Sequence, residues 1–168
     1  MKLKVLIILL ISNFAMAQNQ ATEAFLEKWD NSKNYLLEVA KAMPEELYDY
    51  KPTEKQMSFG QQLVHIKENM EWLSNAYFTD VEYVKAKDEN HYSKEETIAV
   101  LEKSFDAVYE IIKNSEPELL DSKVEFFAGP KTKLQILNLL QDHVTHHRGQ
   151  LLVYLNLNDI KPPKYVGW

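Results

Sequence analysis

The sequence predicts an all-α protein folded as a four-helix bundle. Only 4 Gly and 6 Pro occur, against abundant Leu, Lys, Glu and Ala, a composition that favours long helices over strands and tight turns. Four stretches repeat apolar residues at steps of three and four, and the breaks between them fall at proline or beside Ser and Thr in cap positions. With 168 residues, 45% of them hydrophobic, the chain suffices for one domain with a real core.

The first helix is expected over about Thr22 to Met43, with Phe25, Trp29, Leu36, Val39 and Ala40 on its apolar face and Pro44 ending it. Ser58 is an N-cap for a second helix through Phe59, Leu63, Ile66, Met70 and Leu73 to about Phe78. Ser93 with Glu96 forms a capping box ahead of Ile98, Leu101, Phe105, Val108 and Ile112, and that third helix ends near Asn114. Thr132 caps a fourth helix to about Leu157, and Pro162-Pro163 forbid its continuation. Between the third and fourth helices, Val124 to Phe127 is expected to be locally extended. The links from Thr79 to His91 and from Ser115 to Lys131 are long enough to cross the bundle.

Ahead of this domain, Lys2 and Lys4 precede an apolar run from Val5 to Ile11, and Ala15-Met16-Ala17 supplies small residues at both positions of a cleavage site. This reads as a signal peptide over residues 1–17, cleaved after Ala17. The run ends near Phe14, short of the ~20 apolar residues that span a bilayer. Gln18 is not the cysteine that a lipid-modified leader requires. The expectation is an exported chain, periplasmic or secreted, with a domain over residues 18–168 and no membrane span after cleavage. A formal charge of -6, spread along the chain, lacks the basic face that tracks phosphates, so nucleic acid is not an expected partner. With no Cys, any metal must be held by nitrogen and oxygen ligands.

The chemistry concentrates in Gln141-Asp142-His143-Val144-Thr145-His146-His147-Arg148-Gly149-Gln150. His143 and His147, four residues apart, share a helix face and lie in the stripe Ile136, Leu140, His143, His147, Leu151, Tyr154. Two readings stand: core histidines satisfied by polar neighbours, or two ligands of one ion. His146 points elsewhere, to the surface or to a supporting position. A third ligand must come from another element. His65, in the second helix on the strip Gln61, His65, Trp72, Ala76, competes with His91, which lies in a polar link; His65 also reads as a partly buried bundle residue. Arg148 reads as a snorkelling cation paired with a carboxylate at the bundle edge, and Gly149 as a point of close helix approach. Asp142, Glu68 and Glu71 are candidate supporting groups or general bases.

Two segments, Ser58-Phe59-Gly60-Gln61-Gln62-Leu63-Val64-His65-Ile66 and His143 to Leu151 followed by Lys161-Pro162-Pro163, resemble the DinB/YfiT-like family of bacterial helical bundles, the second through its H-x-x-x-H-R-G-Q pattern. The resemblance covers the chain from about Phe25 onward. It implies an up-down-down-up bundle, often dimeric, with a divalent metal on His65, His143 and His147; zinc, nickel, iron, manganese and cobalt all suit three imidazoles. Three neutral ligands leave a coordination position open to water, the pattern of catalytic rather than closed structural sites. The resemblance further implies a metal-dependent hydrolase acting on a small molecule, with a thiol-dependent S-transferase as the alternative. Export favours the hydrolase, because thiol cosubstrates belong to the reducing cytosol. A non-catalytic metal-binding or interaction module is the third reading.

Overall fold

The computed structural model describes residues 2–84 and 91–168, with side chains from residue 20 onward. Its helices are α1 (Lys2–Ala42), α2 (Phe59–Phe78), α3 (Lys94–Lys113) and α4 (Lys133–Leu157). The start of α1 departs from the sequence expectation, since the helix begins at Lys2 rather than near Thr22. The side chains of the expected leader, residues 1–17, lie outside the described residues. Among the described residues no helix is long and apolar enough to cross a membrane.

The other three helix starts are set by local chemistry. Ser58, Ser93 and Thr132 each accept a hydrogen bond from the backbone N–H three residues on. The side chains of Gln61, Glu96 and Gln135 reach back in turn to the cap N–H groups. Each box satisfies two amide donors that a helix start otherwise leaves unpaired. The starts of α2 and α4 fix the angular position of every side chain that follows, the histidines included.

Side-chain contacts give the helix directions. Lys94, at the start of α3, donates to the carbonyls of Lys41 and Met43 at the end of α1, while Lys33, further back on α1, pairs with Asp106 of α3 at 2.6 Å. The two helices are therefore antiparallel. Gln62 of α2 bonds to Gln150 of α4, and His65 of α2 meets His143 of α4, so these two also run oppositely. Ser32 with Gln141 and Tyr35 with Arg148 make α1 and α4 parallel. The order is up-down-down-up, as the family resemblance implies, and the link from Phe78 to Lys94 joins opposite ends of the bundle.

The expected apolar faces meet in one core. Trp29, Leu36, Leu63, Ile66, Leu73, Leu101, Phe105, Ile112 and Leu151 are fully enclosed, and Trp29 donates its indole N–H to the Phe105 carbonyl at 3.0 Å. Between α3 and α4 the chain makes a 3₁₀ turn over Pro117–Asp121 and then an antiparallel pair, β1 (Lys123–Val124) with β2 (Lys131–Thr132). The expected extended segment thus starts one residue earlier and ends at Val124. Phe126 and Phe127 belong to the turn, which Gly129 completes at φ +85°, a conformation that side chains disfavour.

Candidate metal centre

His65 faces the α2–α4 seam from one side, and His143 and His147, one turn apart, face it from the other. Their ring centroids lie 4.9, 4.7 and 4.4 Å apart, and one ligand nitrogen from each falls within 4.8 Å of the others. His65 Nε2 and His143 Nε2 approach to 3.2 Å. Two nitrogen lone pairs repel at that distance, so either one nitrogen carries a hydrogen or a cation serves both. The spacing also suits an ion: tetrahedral metal–nitrogen bonds of 2.0–2.1 Å place two ligand nitrogens about 3.3 Å apart. The three side chains could therefore hold a metal ion, and no carboxylate belongs to the cluster among the described residues. His147 is buried, whereas His65 and His143 keep part of their surface exposed. The cluster is sealed on one side and reachable on the other.

His147 is oriented by a residue that sequence reasoning passed over. Gln62 is 1% exposed, and its carboxamide oxygen lies 2.5 Å from His147 Nδ1. An amide oxygen only accepts, so Nδ1 carries the hydrogen and Nε2 keeps the lone pair. Gln62 is itself held, because its amide nitrogen donates to Gln150 Oε1 at 2.7 Å and to the Tyr154 hydroxyl at 3.4 Å, and that hydroxyl donates to the Met57 carbonyl. Burial, with His65 and His146 nearby, pushes the His147 imidazole down to about 4, so it is neutral at pH 7 and fit to be a ligand. The signal for Gln62 was its place three residues before His65 on the same helix face.

The remaining candidates separate cleanly. His91 is exposed in its link. His146 is exposed and accepts a hydrogen bond from Gln150, beside the triad but outside it. Asp142 is exposed, and Glu71 accepts from Ser104 of α3 and pairs with Lys67 one turn back on α2. Two readings need correction. Arg148 does not snorkel at an edge with a carboxylate; it is 6% exposed and stacks over the Tyr35 ring at 4.5 Å. The helix turn that aims His147 at α2 aims its neighbour at α1. Gly149 is exposed, and an added Cβ would meet nothing within 4 Å among the described residues, so it does not mark a close helix approach there. A cleft of about 300 Å³ lined by Phe78, Asn114, Leu119 and Lys133 lies at the far end of α2, away from these histidines.

An up-down-down-up bundle with three convergent imidazoles on its second and fourth helices defines a class of helical proteins equipped to bind a metal. The DinB family model matches residues 16–165, and the chain belongs to that family. Two solved structures share the fold. A DinB-like protein from Bacillus cereus has a TM-score of 0.75 at 19% identity, covering 86% of this chain and 97% of its own. A DinB-like protein from Bacillus subtilis has a TM-score of 0.69 at 20% identity, covering 84% and 96%. No curated protein matches.

Proposed function

We propose that this chain is an exported metal-dependent hydrolase whose divalent ion is held by His65, His143 and His147. The observation that carries the reading is the convergence of three imidazoles at a seam where His147 is sealed and the other two remain reachable. A closed structural site would have a fourth protein ligand and no approach from solvent. Bound there, a divalent ion supplies Lewis acidity toward a carbonyl or phosphoryl oxygen and acidifies water.

The chain's own groups prepare that chemistry. Gln62 holds the hydrogen of His147 on Nδ1 and so directs Nε2 toward the cluster. The Gln62, Gln150 and Tyr154 network stops the ring from rotating, which keeps the donor set assembled before any ion arrives. All three donors would be neutral imidazoles, so the protein would add no negative charge to the ion they hold. The Lys2 and Lys4 charges, the apolar run and the Ala15-Met16-Ala17 site support export.

The test combines metal analysis of the purified mature protein with hydrolysis of ester, amide and phosphoester panels. Metal-dependent turnover that disappears in His143→Ala supports the reading. A metal-loaded protein that cleaves nothing and instead joins a thiol to an electrophile would overturn the hydrolase in favour of the transferase.

A further inference from the structure

Burial and, after it, the Arg148 charge on α4 lower the pKa of Lys28 on α1, and no ion pair joins either cation to a carboxylate among the described residues. Arg148 is the more demanding of the two. It is 6% exposed, its Nη1 is sealed from water, and that nitrogen has no hydrogen-bond partner among the described residues. Its guanidinium carbon lies over the Tyr35 ring, and the Tyr35 ring meets Tyr165 edge-on at 6.4 Å. Lys28 donates to the Gly167 carbonyl and lies 5.0 Å from the Trp168 ring centre. The carboxy-terminal segment therefore folds back over α1 beside the two cations.

A buried guanidinium without an acceptor is costly, and contact with one tyrosine ring offsets only part of that cost. A second cation beside it raises the cost. Both are relieved by a group with negative charge and at least two acceptor oxygens, because the guanidinium fork matches a carboxylate or phosphate in a bidentate fashion while lysine adds a point charge. We propose that Arg148 and Lys28, walled by Tyr35 and Tyr165, form a binding site for a small oxyanion, a carboxylate or phosphoryl group, in the seam between α1, α4 and the carboxy-terminal segment. The site faces α1, whereas the histidines face α2, and it does not depend on a metal.

The test uses full-length mature protein treated with a chelator, so that anions cannot bind through an ion on the histidines. Inorganic phosphate and acetate are titrated by calorimetry against chloride at equal ionic strength. Saturable binding of one of them is expected, with acetate marking a carboxylate site and phosphate a phosphoryl site. Arg148→Lys, which keeps the charge and loses the fork, and Lys28→Gln, which lies on a half-buried side chain and leaves the core intact, should each weaken it about tenfold or more, while His65→Ala leaves it unchanged. Absence of saturable binding to the unaltered protein, or binding by both cation variants as tight as by the unaltered protein, overturns the proposal and leaves Arg148 as a packing partner of Tyr35.

Discussion

The carboxamide oxygen of Gln62 and Nδ1 of His147, on antiparallel helices, lie 2.5 Å apart inside the bundle. This bond decides which nitrogen of His147 is available to an ion. Gln62→Met, similar in length but without an acceptor, should lower metal affinity roughly 10–100-fold. It should also cost about 1–3 kcal/mol of stability in the metal-free protein, because buried polar partners lose their bonds. Competitive metal titration and urea unfolding read the two effects separately. Unaltered affinity would show that Gln62 does not set the tautomer.

The three histidines should behave as one unit. His65→Ala, His143→Ala and His147→Ala are each expected to reduce metal occupancy strongly, His146→Ala only slightly, and His91→Ala not at all. Elemental analysis after equilibrium dialysis measures this. Full occupancy in His65→Ala would remove α2 from the site.

Acid should destabilise the metal-free protein through His147. The folded imidazole titrates near 4, and an unfolded histidine near ~6.5. Between those values the unfolded chain binds the additional proton, so stability falls as pH drops from about 6.5 toward 4, by up to about 1.4 kcal/mol per pH unit from this residue. Urea unfolding at several pH values should show a shallower slope in His147→Asn, whose amide N–H can still reach Gln62. An identical slope would place the effect elsewhere.

Metal binding should weaken over a similar range. Protons and metal compete for the same three nitrogens, so affinity should decline as pH falls, reaching a three-proton dependence only as His147 titrates near 4. The stability added by the ion declines with it. Thermal unfolding of loaded and chelated protein across mildly alkaline to mildly acidic pH tests this. A constant increment points to carboxylate ligands.

Mass spectrometry of exported protein should find Gln18 at the amino terminus. Recovery only of a cytosolic form that retains Met1 would refute the leader.

What was legible in the sequence was what neighbours in sequence determine. Ser58, Ser93 and Thr132 announced their helices because a cap is made within four residues, and at Ser93 the box with Glu96 was legible as well. His143 and His147 could be paired because helical spacing alone puts them on one face. The role of Gln62 was hidden because it depends on a contact 85 residues away. Arg148 was misread for a related reason: long cations usually keep their heads in water, and only the packing of Tyr35 against α4 puts this one inside. The segment expected to be extended over Val124 to Phe127 keeps only Val124 in a strand, because the turn closed by the Gly129 N–H on the Phe126 carbonyl takes up the rest, and its pairing with Lys131–Thr132 had no local signal.

The seam that unites the histidines joins α2 to α4, with the whole of α3 lying between them along the chain. Until residue 147 has been made and the bundle has closed, the ion has at most the His143 and His147 pair to hold. Three imidazoles discriminate weakly among late first-row divalent ions, which are sorted in cells largely by availability. The identity of an ion taken up by these histidines would thus be decided by the place where the chain finishes folding, and expression in a foreign compartment should load the site with whatever that compartment holds in excess.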